Sequence, residues 1–312
     1  NNLYKSKKNW IFFGKKESFE NFKKEVNINF KNLHLKRIDN KFDIHLLKLE
    51  SLQGIILENS NDLSSNDLEK ILYFKSKGIN VLNVLKWCEL KLYRIPPYFI
   101  ENKYQIIEKF NLSDNSYKFR VKRIGDLFLS LILLFVTLPI SIFVAILIFL
   151  EDKGPIFYSQ SRTGYKGEII RIYKFRSMVK DAEKNGIQWS SEKDKRITRI
   201  GKIIRSTRVD ELPQLLSVIE GKMSLIGPRP ERPEIEKELL QKIPYYNYRN
   251  ILKPGISGWA QVNYPYGASI KDTINKLSYD IYYINHISFL LDLFILFKTI
   301  KIVFRAKGNK LF

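Results

Sequence analysis

LFLSLILLFVTLPISIFVAILIFL, residues 127–150, contains no charged side chain and is bounded by Asp126 and Glu151. As a straight helix it is about 36 Å long, against a bilayer hydrocarbon core of about 30 Å. A helix buried in a soluble core is rarely that long and that apolar on every face, so the segment is expected to enter a membrane. Pro139 sits near its middle, where it removes a backbone donor and frees the carbonyl of Phe135. The hydroxyls of Thr137 and Ser141 are placed to help re-satisfy the backbone. The flanks are basic on both sides: Lys118, Arg120, Lys122 and Arg123 before the segment, and Lys153, Arg162, Lys166, Arg171, Lys174 and Arg176 after it. Positive charge at both ends favours two cytoplasmic ends. A re-entrant helix over about 124–150, broken at Pro139, that dips into the bilayer and returns satisfies both facts. A plain kinked span is the alternative.

The remaining composition agrees with an anionic environment. The 312 residues carry a formal charge of +21, with 45% hydrophobic residues, which suits two domains and sizeable cores. Such charge calls for nucleic acid, an anionic membrane surface or phosphorylated substrates. A single cysteine, Cys88, excludes an intrachain disulfide, and His34, His45 and His286 are too scattered for a histidine metal cluster. The opening NNLYKSKKN has no apolar run, so no signal peptide is expected, and a processed or incomplete start is.

Upstream of the membrane segment, residues 1–116 predict an α/β domain. Apolar runs at Asn9–Phe13, Gly54–Leu57 and Ile79–Leu82 read as buried strands. Helices are expected over Ser18–Val26, with Phe19, Phe22 and Val26 on one face, and over Asn66–Phe74. Strands alternating with helices imply a parallel sheet. The first strand is followed only by Gly14, Lys15, Lys16 and Glu17, so the G-x-G-x-x-G fingerprint is missing and NAD is not assigned. The polar stretch Asn111–Tyr117 marks the boundary.

Downstream, residues 117–312 predict a mainly helical α+β membrane domain. Ile156–Tyr158 and Ile169–Tyr173 form a hairpin around Gly164 and Gly167, and Lys174 and Arg176 share a face if the strand continues. Next comes RITRIGKIIRSTRVDELPQLLSVIEGKMSLIGPRPE, residues 196–231. Asp210 and Glu211 stand side by side here, preceded by Arg196, Arg199, Lys202, Arg205 and Arg208 and followed by Arg229 in Gly-Pro-Arg-Pro. The Asp-Glu-Leu-Pro order predicts a helix from Asp210 to Gly221, with Asp210 as its cap. Helix capping alone would explain the pair, but guanidinium groups in such number suit phosphate oxygens. A carboxylate held ionised at a helix N-terminus is a competent nucleophile toward phosphorus. Glu211 could move protons or hold water, and a Mg²⁺ bridging a carboxylate and substrate phosphates would reduce like-charge repulsion. Lys174, Arg176, Arg208 and Arg229 are the cations expected on the phosphates. Gly186–Asp194 is expected as a loop carrying Trp189. The tail from Ser288 is amphipathic, with Ser288, Asp292, Lys298, Lys301 and Arg305 in a polar sector. It suits either a helix in a membrane interface or an ordinary surface helix.

Lys174-Phe175-Arg176-Ser177-Met178, the 196–231 stretch with its DELPQ and MSLIGPRP, and KPGISGWAQVN at 253–263 together resemble the bacterial sugar transferase family. These are monotopic phosphoglycosyl transferases that start glycan and exopolysaccharide assembly on polyprenyl phosphate. The resemblance runs from about Lys118 to the C-terminus. It implies transfer of a hexose-1-phosphate from a UDP-sugar to undecaprenyl phosphate with release of UMP, Mg²⁺ dependence, and a re-entrant helix broken at a proline. It makes Asp210 and Glu211 the catalytic pair, with Asp210 the carrier of a phosphosugar and a contact of the metal. It also implies the cytoplasmic face of the bacterial inner membrane. The N-terminal region resembles the degenerate, Rossmann-like, nucleotide-binding-like domain of larger members, which usually carry further membrane helices upstream. GWAQVNYPYGAS, residues 258–269, is similar to members working in exopolysaccharide synthesis and implies glucose or galactose.

A competing expectation is a non-catalytic membrane scaffold that senses a ligand through its N-terminal domain; the intact Asp210–Glu211 pair weighs against it. Nucleic-acid binding is disfavoured by the uncharged membrane segment and by the lack of any nucleic-acid motif. A homo-oligomer is left open.

Overall fold

A computed structural model describes residues 8–38, 52–58, 65–100, 117–182, 194–265, 267 and 269–304. Two compact units divide between Glu101 and Asn102. The expected boundary at 116 and its linker fall in 101–116, outside the described residues, as does most of the Trp189 loop, 183–193.

In the first unit β1 (Lys8–Phe13), β2 (Leu33–Ile38), β3 (Leu52–Leu57) and β4 (Asn80–Asn83) form a parallel sheet in the order β2-β1-β3-β4. The helices are α1 (Lys16–Asn29), α2 (Ser65–Ser76) and α3 (Val84–Leu92). Successive strand residues point to opposite faces. Trp10 and Phe12 accordingly join Phe22, Val26 and Trp87 in one core, while Phe13 joins Ile71 and Phe74 in another. Burial on both faces is why the inner strands read as continuous apolar runs. β2, LHLKRI, lies at the sheet edge and alternates apolar with basic residues, so it carries no such signal. At the end of β1 the chain turns at Gly14, where a Cβ would collide with Glu58. Glu58 accepts from the Lys15 amide at 2.5 Å and from the Ser18 hydroxyl, at the start of α1.

The second unit is organised around α4 (Tyr117–Asp152), a helix of 36 residues that continues through Pro139 without an assigned break. The Thr137 hydroxyl donates to the Leu133 carbonyl at 2.7 Å, and not to the Phe135 carbonyl that the proline frees. Around the proline the side chains are exposed, Phe135 at 80% and Phe143 at 61%. By length and composition α4 is able to cross a membrane. Both of its ends are tied down. Arg123 donates to the carbonyls of Val218 at 2.6 Å and Ile219 at 2.9 Å, and Asp126 accepts from the Ser224 hydroxyl at 2.7 Å. At the other end Glu151 accepts from the Arg199 amide at 2.9 Å, and Asp152 pairs with Arg176.

β5 (Phe157–Thr163) and β6 (Ile169–Phe175) form the expected antiparallel hairpin. Two short helices follow, α5 (Arg199–Ser206) and α6 (Gln214–Ile219). β7 (Ser224–Ile226) pairs in parallel with β8 (Gly255–Ser257). Their continuations pass so closely that a Cβ on Gly227 would meet the Lys253 carbonyl, and one on Gly255 would meet the Gly227 amide. The remaining helices are α7 (Pro233–Lys242), α8 (Trp259–Asn263), α9 (Ile270–Asn285) and α10 (Phe289–Phe304). Part of the polar sector of α10 faces inward: Asp292 accepts from Lys122 at 2.7 Å and from the Tyr283 hydroxyl at 2.6 Å. Lys298 donates to Asn263 at 2.7 Å. This leaves Leu290 (77%) and Phe297 (62%) exposed on the outer face of α10.

Candidate active site

The carboxylate pair sits in a turn rather than at a helix cap. Arg208, at φ 59, takes a left-handed conformation after α5, and Val209–Glu211 form a single 3₁₀ turn. The Glu211 amide donates to the Arg208 carbonyl and the Leu212 amide to the Val209 carbonyl, each at 3.1 Å. The turn's own backbone therefore satisfies the donors that a capping side chain would serve, and α6 starts only after Pro213. This corrects the expected helix from Asp210. Asp210 is 8% exposed, yet its Oδ1 has no hydrogen-bond partner. Such an atom is costly to bury.

Glu211 is the opposite case. Its Oε1 accepts from Lys174 Nζ, at the end of β6, and from Arg229 Nη2, in the turn after β7, both at 2.8 Å. Arg208 approaches its Oε2 at 3.8 Å. Three of the four expected cations therefore converge on one carboxylate beside Asp210. The fourth, Arg176, lies one residue beyond β6; its buried guanidinium pairs with Asp152 at the end of α4. The same guanidinium lies against Gly154, close enough that a Cβ there would displace it.

The two acids are pushed in opposite directions. Burial raises the Asp210 carboxyl, and the neighbouring Glu211 charge adds to it; against the pull of Lys174 and Arg208 it settles at about 6. That corrects the expectation of a carboxylate held ionised by a helix terminus. Burial also opposes ionisation of Glu211, but Arg229, Lys174 and Arg208 outweigh it and hold Glu211 well below the usual carboxylate range. Burial draws Lys174 below the ordinary lysine value despite Glu211. Environments that push two acids apart are how sites divide roles between them.

Two supporting residues lie outside the set of site residues expected from the sequence, although Gln261 sits inside the quoted KPGISGWAQVN. Arg249, buried at 7%, donates to the Arg229 backbone carbonyl at 2.7 Å and pairs with Asp280 at 3.1 Å. The available signal is charge inside Tyr-rich apolar stretches, because a charge buried there must find a partner. Gln261 is the other: with its carboxamide oriented to suit both neighbours, it accepts from Arg229 Nη1 and donates to the Ile256 carbonyl, each at 3.2 Å.

Among the described residues no three His, Cys, Asp or Glu side chains gather around a metal position. One carboxylate with an unpartnered oxygen nevertheless fits Mg²⁺, which typically takes one or two carboxylates and completes its shell with substrate phosphates and water. Asp210 is the residue that would hold it.

An unpartnered carboxylate thus stands beside a neighbour on which three cations converge. Comparison with known proteins agrees with the resemblance of the quoted motifs. The family model described as bacterial sugar transferase matches residues 117–306. An Aeromonas hydrophila protein named UDP-N-acetylgalactosamine-undecaprenyl-phosphate N-acetylgalactosaminephosphotransferase is 45% identical over 190 residues, 61% of this chain and 45% of that protein. A Bacillus subtilis protein named putative undecaprenyl-phosphate N-acetylgalactosaminyl 1-phosphate transferase is 46% identical over 146 residues, 46% of this chain and 82% of its own length. An undecaprenyl-phosphate glucose phosphotransferase of Komagataeibacter xylinus is 39% identical over 186 residues, 58% of this chain and 35% of that protein. The match thus spans less than half of the Aeromonas and Komagataeibacter relatives. With a model match over more than half its length, from the start of α4 almost to the C-terminus, the chain belongs to the bacterial sugar transferase family.

Proposed function

We propose that this chain is a phosphoglycosyl transferase that moves a hexose-1-phosphate from a UDP-sugar to undecaprenyl phosphate and releases UMP. The observation that carries this is the buried, unpartnered Oδ1 of Asp210 beside a carboxylate already neutralised by Lys174, Arg208 and Arg229. Buried carboxylate oxygens are normally hydrogen-bonded, and one left without a donor keeps its lone pairs available for attack. In the first step an Asp210 carboxylate oxygen attacks the β-phosphorus of the UDP-sugar. The bond from that phosphorus to the bridging oxygen breaks, and UMP leaves with the electron pair. In the second step an oxygen of undecaprenyl phosphate attacks the same phosphorus, the aspartyl–phosphorus bond breaks, and the Asp210 carboxylate is restored. Arg229 and Lys174 bind phosphate oxygens in exchange for Glu211, which keeps these cations poised and charged. When bound, Mg²⁺ offsets diphosphate charge next to Asp210.

The same proposal includes the topology. Both ends of α4 are tied to one compact unit, to residues 218–219 at one end and 199–200 at the other. This supports a re-entrant helix bent near Pro139, with both ends and the site on the cytoplasmic face of the bacterial inner membrane. In the N-terminal unit, the parallel order β2-β1-β3-β4 supports a degenerate Rossmann-like domain. Glu58 occupies the start of α1, where a nucleotide phosphate would sit, which supports a non-catalytic role. The relatives' names include both N-acetylgalactosamine and glucose transfer, so the donor is proposed as a UDP-hexose or UDP-N-acetylhexosamine. Incubating the protein with a panel of such donors and polyprenyl phosphate tests the reaction: UMP and a lipid-linked sugar diphosphate are expected, and their absence with every donor would overturn it.

A further inference from the structure

A cleft opens beside Glu211. Arg208 and Glu211 lie at one end, and Leu133 of α4, Leu215 of α6, and Leu296 and Val303 of α10 are among its walls. Two of the framing helices, α4 and α10, also present exposed apolar faces. A nucleotide sugar is a poor occupant, because its hydroxyls and base would lie against hydrocarbon without hydrogen-bond partners. Arg229 instead lines a second, smaller cavity with Thr163 and Asn250, among polar groups. Charge at one end and hydrocarbon along the rest call for an amphiphile with an anionic head.

Resting on the proposed acceptor reaction, we infer that this cleft holds the first isoprene units of the polyprenyl phosphate, with its phosphate against Arg208. The lipid then reaches Asp210 along α4 and α10, and the nucleotide sugar is left to Arg229 and Lys174 on the other side of Glu211. α10 is then a wall of the acceptor site as well as a surface helix.

Leu296→Trp and Val303→Trp fill the cleft at two separate points, and Leu290→Trp, on the exposed face of α10, is the control. In nanodiscs, both cleft variants are expected to raise the apparent KM for polyprenyl phosphate by about tenfold or more relative to the control. UMP release from the UDP-sugar without lipid should change by less than about twofold, little beside that loss. An unchanged acceptor KM in both variants overturns the inference, and so does a parallel loss of lipid-free UMP release in both. The wild-type chain is also exposed to polyprenyl phosphate bearing a photoreactive group in its first isoprene units. Labelling within 289–304 that unlabelled polyprenyl phosphate suppresses and phosphatidylglycerol does not is expected. Equal suppression by phosphatidylglycerol would make the cleft a bulk-lipid groove and overturn the inference. If the wild type released no UMP with any donor, the proposed function would fail, while the labelling would still report on the cleft.

Discussion

Replacing Asp210 with asparagine should stabilise the catalytic unit at neutral pH, by an amount that the local electrostatics set. Asp210 has an ordinary carboxyl value of 3.8 and sits at about 6 in the folded protein. The folded state therefore keeps a proton that the unfolded state has released between those values, and its stability falls as pH rises through that window. At 1.36 kcal/mol per unit, the ionised side chain costs on the order of 3 kcal/mol at pH 7 and only a small fraction of that at pH 4. Asparagine removes this pH-dependent part while adding an isosteric cost that is the same at both pH values. The stability difference between Asp210→Asn and wild type should therefore grow by about 2–3 kcal/mol from pH 4 to pH 7, or roughly 5–10 °C in melting temperature. Limited proteolysis over a temperature ramp in detergent, read from peptides of residues 194–304, follows this unit separately from the N-terminal one. A difference that stays flat with pH, or shrinks, would refute the claim that Asp210 is buried at an electrostatic cost.

Other consequences concern its neighbours. Glu211→Gln leaves Lys174 and Arg229 without the negative charge they share, so it should destabilise the unit by about 3–5 kcal/mol. It should also move the acid limb of residual UMP release to lower pH than in the wild type, because the Glu211 charge no longer raises Asp210; an unmoved limb would remove the coupling between the two acids. Arg176→Ala should lower stability by about 1–3 kcal/mol through its lost pair with Asp152, while turnover per folded enzyme survives; Arg229→Ala should abolish turnover, and equal losses in both would return Arg176 to the site. Accessibility tags placed before Lys118 and after Glu151 should both report the cytoplasm, and a periplasmic signal at either end would contradict the re-entrant topology.

The sequence makes some of this structure legible and hides the rest for identifiable reasons. Inner strands such as β1 and β3 are visible because burial on both faces makes them continuously apolar, whereas the edge strand β2 mixes its leucines with Lys36 and Arg37. Lys174, Arg208 and Arg229 are found from charge and spacing near the acids. Arg176 has the same signature, and only the position of Asp152 at the end of α4 takes it elsewhere. Local propensity correctly marks Asp210 as a residue suited to a cap. It cannot reveal that the left-handed Arg208 lets the backbone satisfy the turn and leaves that carboxylate unpartnered. Arg249 and Asp280 support Arg229 across long sequence separations, which no local pattern records.

The central claim is that Asp210 carries the sugar phosphate. The most direct measurement is mass spectrometry of the protein after incubation with the UDP-sugar and Mg²⁺ but no lipid, with UMP quantified in parallel. Wild type should release about one UMP per enzyme in a burst and carry a hexose-phosphate adduct on the peptide containing Asp210, which polyprenyl phosphate then discharges. Asp210→Asn should show neither. UMP release that appears only when lipid is added, with no adduct at any time, or a normal burst from Asp210→Asn, would contradict the account.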